Sequence, residues 1–180
     1  GGRLVGQAFA MPSRPAPARY ISISGAVSKI VMTDSAGHFT AEGLPEGRYC
    51  VTLDSSSLRG WDWAVPGQAS ATPVPVEIGP LGAGGKVVGS RALPGRVVLI
   101  RGAVGPQIAS EVADKSGTRF CEALATSVID TITLGGEFRV EGVPPGRWSV
   151  FYVSLTQAED KDLLEPRLIE LLPNQTQVIP

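Results

Sequence analysis

Gly37-His-Phe39-Thr-Ala-Glu42-Gly43-Leu44-Pro45-Glu-Gly47-Arg48-Tyr49-Cys-Val51 returns 99 residues later as Gly136-Glu-Phe138-Arg-Val-Glu141-Gly142-Val143-Pro144-Pro-Gly146-Arg147-Trp148-Ser-Val150. Eight of the fifteen positions are identical and no gap intervenes, which is how a repeated structural unit reads in sequence. In each copy a short run around the Phe ends in Glu-Gly and is followed by Leu/Val-Pro-x-Gly. Pro presets φ near −65° and Gly supplies a positive φ, so this segment predicts a turn between two strands. After the turn, Tyr49, Val51 and Leu53 alternate with Arg48, Cys50 and Thr52, the period-two pattern of a strand with two unlike faces. The aromatic just after the turn is placed to plug the end of a sandwich core.

Working outward, Pro17-Ala-Arg19-Tyr-Ile21-Ser-Ile23-Ser-Gly25 matches Pro94-Gly-Arg96-Val-Val98-Leu-Ile100-Arg-Gly102 more weakly, at an offset of 77. Val5-Gly6 likewise parallels Val88-Gly89. The change of offset from 77 to 99 locates a 22-residue insertion in the second copy. Insertions collect in loops, where backbone polar groups still reach water, so a long loop is expected at about 103–128. The expected organisation is one β-sandwich over residues 1–82 and a second over 86–180, joined by the Gly-rich stretch Gly79-Pro-Leu-Gly-Ala-Gly-Gly85.

Composition agrees with an all-β chain. Gly and Pro supply 37 of 180 residues, below the roughly 25–30% that marks low complexity, and they fall between short apolar runs. No window of helical length is convincingly periodic; residues 156–172 come nearest, and Pro166 interrupts them. The longest apolar runs fall far short of the roughly 18 residues of a membrane helix, so no membrane span is expected. The net charge of −1 is spread along the chain, and nucleic-acid binding, which needs a basic face, is disfavoured.

Thr33-Asp34-Ser-Ala-Gly37-His-Phe39, running into Gly43-Leu44-Pro45-Glu-Gly47-Arg48-Tyr49, resembles the carboxypeptidase regulatory-like modules. These are relatives of the transthyretin-like and collagen-adhesin B-type sandwiches. Gly136 to Trp148 looks like a second copy, although Leu134-Gly135 replaces the Asp-containing turn. The resemblance implies two tandem Ig-like or transthyretin-like antiparallel β-sandwiches of seven or eight strands. Such modules are usually extracytoplasmic and serve as spacers, adhesion modules or pilus-like components. Some collagen-adhesin relatives close a Lys–Asn isopeptide bond inside the sandwich. Here Lys86 opens the second copy and Asn174, the only Asn, lies near its last strand, but no acidic residue matches the family's catalytic carboxylate motif. Surface positions are the simpler reading for both.

No constellation for catalysis emerges, so no enzyme activity is expected. His38 is the single histidine, with no Ser or Cys nucleophile and orienting acid beside it. No Cys/His cluster has zinc spacing and no phosphate loop precedes a helix, so neither a metal nor a cofactor is expected. Asp160 and Asp162 lack the spacing of a calcium loop and read as solvated. Asn174-Gln-Thr176 is a glycosylation sequon that matters only in a eukaryotic secreted context; a turn explains it more simply. Cys50 and Cys121 fall one in each copy, the first pointing away from its own core and the second in the inserted loop. A disulfide between copies, one between chains, and two free thiols all remain open. Trp61 and Trp63 share a strand face at i and i+2, as a glycan platform would, or as core packing would.

The second copy carries an apolar face that the first lacks. Where the first has Cys50, Thr52 and Asp54 pointing outward, the second has Ser149, Phe151 and Val153. At the offset of 77, Tyr20 and Ser22 correspond to Val97 and Leu99. A strand apolar on both faces is covered on both. Val97, Leu99, Phe151 and Val153 are therefore expected in an interface, with the inserted loop, the first copy or another chain. Together these features point to a non-catalytic extracellular structural or assembly protein that self-associates, such as a subunit of a surface filament or adhesin stalk. Its signal peptide would already be removed. The rival expectations are a carbohydrate-binding module and an accessory sandwich domain of a larger secreted enzyme.

Overall fold

The computed structural model describes residues 1–54, 61–91, 94–105, 107–108, 111, 119–133, 136–154 and 166–180. Over these residues the chain is almost entirely β, with little helix; the helix used below is the five-residue α1 (Phe120–Leu124). The central element is an eight-stranded sheet. Numbered along the chain, its order is β14 (Arg167–Leu171), β13 (Gly146–Ser154), β10 (Gly95–Arg101), β11 (Val128–Thr133), β7 (Trp61–Ala69), β6 (Gly47–Leu53), β3 (Tyr20–Ser24) and β4 (Ser28–Met32). Every neighbouring pair is antiparallel.

Two smaller sheets pack on one face of this sheet. One joins β2 (Arg14–Pro15), β1 (Gly2–Met11) and β5 (His38–Leu44), with β8 (Val76–Ile78) parallel to β1. The other joins β12 (Gly136–Val143), β9 (Gly85–Arg91) and β15 (Thr176–Ile179). Leu4, Phe39, Leu44 and Ile78 meet Ile21, Ile23, Tyr49 and Val51 across the first sandwich. Val87, Phe138, Val140 and Ile179 meet Val97, Leu99, Trp148 and Val150 across the second, and all of these belong to one continuous core.

The quoted motif folds alike in both halves, and its glycines show why. Gly37, Gly43 and Gly47 have φ of 78°, 67° and 143°; Gly136, Gly142 and Gly146 have 83°, 68° and 130°. All six lie where L side chains are disfavoured. Next to each turn the aromatic reaches back four residues: Tyr49 Oη donates to the Pro45 carbonyl at 2.9 Å, and Trp148 Nε1 to the Pro144 carbonyl at 2.8 Å. The buried ring thus satisfies its polar atom while closing the core. Gly6 faces Phe39 across β1–β5, and Gly89 faces Phe138 across β9–β12. A Cβ on either glycine would collide with the ring.

Gly47→Ala has open space around the added methyl, so its whole cost is conformational. At Gly146 the methyl would also meet Arg101 Nη2 at 2.9 Å. Each substitution should destabilise by more than about 1 kcal/mol in urea titration, with the larger loss at Gly146.

One expected register is corrected. β3 meets β6 through Ile21↔Leu53 and Ile23↔Val51, while β10 meets β13 through Val97↔Tyr152 and Leu99↔Val150. Val97 and Leu99 therefore take the places of Ile21 and Ile23, an offset of 76 rather than 77. The chance identities Pro17/Pro94, Arg19/Arg96, Ile23/Ile100 and Gly25/Gly102 slide the comparison by one residue, and in a strand a slip of one exchanges the faces. Val97 and Leu99 are core residues of the sandwich; Val98 and Ile100 point outward.

Candidate assembly site at the junction of the two halves

The halves meet strand to strand. β11 pairs with β7 through Val128↔Ala64, Ile129↔Trp63, Asp130↔Asp62 and Thr131↔Trp61, which makes the sheet continuous. On the core side of this joint, Trp63 is 4% exposed and Trp61 packs against the same core. Trp63 is buried and Trp61 half-buried against the same core, so the pair does not present two open ring faces as a glycan platform would, and core packing is the reading that fits. On the outer side the register sets Asp130 directly opposite Asp62, a like-charge pair that would by itself oppose pairing. Arg96, from β10, places Nε 3.4 Å from Asp130 Oδ1, with both side chains largely buried, and so offsets that repulsion.

The outer face of the sheet holds a second core. Val98, Ile100, Val128, Phe151 and Val153 pack there with Ala64 and Cys50 from the N-terminal half. The cover comes from the insertion, which contributes Phe120 and Cys121 of α1, with Val104, Ile108 and Leu124 at the margin. Its root is tied to the sheet: Ser149 Oγ donates to the Gly102 carbonyl at 2.6 Å and accepts from Val104 N–H at 3.1 Å. Cys121 then reaches across the joint to Cys50 on β6 in a disulfide, with the two Cα atoms 6.0 Å apart. The bridge links the two halves through the covering segment.

The remaining candidates are dispersed. His38 is exposed, with its Nδ1 3.9 Å from Asp34 Oδ2. Asp34 Oδ1 instead serves the turn before β5, accepting from the N–H groups of Ala36 and His38 at 2.9 Å each. Lys86 lies outside the sandwich with its Nζ 3.8 Å from Glu141, and Asn174 sits exposed in the turn before β15. Neither is enclosed as an internal cross-link would be. Asp160 and Asp162 fall outside the described residues. Burial pushes the Tyr152 phenol above its ordinary value, while the Arg91 guanidinium, 5.5 Å from the ring centre, pulls the other way. Among the described residues, no cluster of three His, Cys, Asp or Glu could hold a metal, and no helix is long and apolar enough to cross a membrane.

No protein-family model matches the chain, and no curated protein matches it. Among solved structures it is similar to the Bacillus anthracis TIE protein, at 13% identity and a TM-score of 0.33, over 99% of this chain and 33% of that one. A streptococcal ancillary pilin matches at 13% identity and a TM-score of 0.33, over 98% of this chain and 61% of the pilin. A shaft pilin of Lactobacillus rhamnosus GG matches at 13% identity and a TM-score of 0.29, over 98% of this chain and 95% of that one. The chain thus spans about a third and three-fifths of the first two.

Proposed function

We propose that the chain is a non-catalytic structural component of an extracytoplasmic assembly, built from two tandem sandwiches of the carboxypeptidase regulatory-like and collagen-adhesin B-type kind. The observation that carries this reading is the joint: one sheet runs through both halves, and Cys50–Cys121 pins the covering segment across it. Two domains on a loose linker move independently, whereas a continuous sheet transmits tension through its ladder of hydrogen bonds. A disulfide that spans the two halves suits an oxidising compartment. A spacer or stalk needs stiffness and durability, and this arrangement supplies both.

The test is where the protein sits and in what redox state. Antibody against the folded chain should label intact cells, and alkylation in situ should find both cysteines blocked. A protein confined to the reducing cytoplasm, with Cys50 and Cys121 both alkylated, would contradict the proposal.

A further inference from the structure

β4 is the counterpart of β11. Tyr20↔Met32 in the β3–β4 hairpin corresponds to Arg96↔Ile132 across β10–β11, and Ser24↔Ser28 to Ile100↔Val128. In the C-terminal half the far edge of this strand is occupied: residues 128–131 take β7 as an antiparallel neighbour. Their counterparts, residues 28–31, lie on an outermost strand of the same sheet, with no further strand beside them among the described residues. An edge that the C-terminal half fills is open in the N-terminal half.

That open edge is fitted for pairing. Thr33 N–H donates to the Arg19 carbonyl at 2.9 Å, and hydrogen-bonded pairs alternate along an antiparallel ladder. Lys29 and Val31 therefore bond to β3, while the N–H and C=O groups of Ser28, Ile30 and Met32 point to the edge. Proteins usually blunt such an edge with proline or with an outward lysine. β4 holds no proline, and Lys29 is turned aside, its Nζ donating to the Glu42 carbonyl of β5 at 2.7 Å. On the outer face Ile30 is 66% and Met32 51% exposed, next to Tyr20 at 66%. At the equivalent places of Ile30 and Tyr20 the filled edge carries the ion pair of Asp130 and Arg96.

From this we infer that the edge is an interface with a second copy of this chain, β4 pairing antiparallel with its twin about a two-fold axis normal to the sheet. The inference rests on the structural role proposed above and names the partner. The chemistry of the edge selects that occupant. β7 brings Asp62 to an edge that carries Arg96, whereas β4 has Tyr20 in place of that arginine and so suits an apolar strand, not an acidic one. β14, the other outer strand, presents Glu170 on its outer face, while β4 presents Ile30 and Met32. A two-fold axis through Val31 sets Ile30 opposite Met32 of the second copy and Met32 opposite its Ile30. The free N–H and C=O groups of these residues then bond to one another, and both cores lie on the same side of one continuous sheet. Such a contact is isologous and closes at the dimer.

Charge substitution on the outer face tests it, because like charges directly opposite oppose pairing and unlike charges favour it. In sedimentation velocity the unaltered chain should rise with concentration from the mass of one chain to that of two and stop. Ile30→Asp with Met32→Asp should leave a monomer, as should Ile30→Lys with Met32→Lys. Both should keep the circular dichroism of the unaltered chain, since the positions are exposed. An equimolar mixture of the two variants should restore a one-to-one dimer, a result that misfolded chains could not give. Leu168→Asp, on the opposite outer strand β14, should dimerise like the unaltered chain. Dimerisation by either charged variant alone, a mixture that stays monomeric, a mass that climbs past the dimer, or loss of the dimer in Leu168→Asp would overturn the β4 pairing. So would an unaltered chain that stays monomeric to millimolar concentration, which would leave the edge to a strand of another protein. Labelling of intact cells and the blocked cysteines test the structural role separately and are untouched by these outcomes.

Discussion

Phe151→Asp should abolish the cooperative fold of the C-terminal half, with no dependence on protein concentration. Phe151 is fully buried in the outer core, against Val98 and beneath the insertion. Truncating such a ring costs about 3–5 kcal/mol through lost contacts and the cavity left behind. A carboxylate there is in addition an unpaired buried charge. The sum approaches the whole stability of a domain, about 5–15 kcal/mol. Because the cover is the chain's own insertion, a partner chain is not needed to create the effect, so unfolding curves at protein concentrations tenfold apart should superimpose. A variant with unaltered near-ultraviolet circular dichroism would show that the outer core is not closed.

The second large effect belongs to the disulfide. Cys50 and Cys121 are 71 residues apart in sequence. Constraining a loop of that length in the unfolded chain contributes about 4 kcal/mol in the chain-entropy picture. Paired Cys50→Ser and Cys121→Ser substitutions should lower the free energy of unfolding by up to that amount. The oxidised chain should yield a Cys50–Cys121 linked peptide in non-reducing mass spectrometry. Equal stability of the oxidised and substituted forms would mean that the bridge does not constrain the joint.

Much of this was readable from the residues, and the gaps have physical causes. The turns were legible because Pro and Gly act locally: Pro45 and Gly47, with Pro144 and Gly146, determine their own backbone without reference to the rest of the fold. The strand following each turn was legible from its alternation. The face assignment of Val97 to Ile100 was not, since four consecutive apolar residues carry no period and the strand is buried on both sides. Four identities at an offset of 77, from Pro17/Pro94 to Gly25/Gly102, then decided the register, wrongly. The pair Phe120-Cys121 inside a polar insertion was the available sign of a covering element. The choice for Trp61 and Trp63 between a glycan platform and core packing stayed open because period two shows that they share a face, not which face. The pairing of β11 with β7 leaves no signal in one sequence, because its partners lie more than 60 residues apart and neither strand differs in composition from an outer one.

The direct test of the account is hydrogen exchange at that joint. Amides in Trp61–Ala64 and Val128–Thr131 that bond across it should exchange as slowly as those pairing β6 with β7, in one global opening event. Exchange at the joint orders of magnitude faster than in its neighbours, while both sandwiches stay protected, would mean that the halves are linked loosely and that the continuous sheet does not persist in solution.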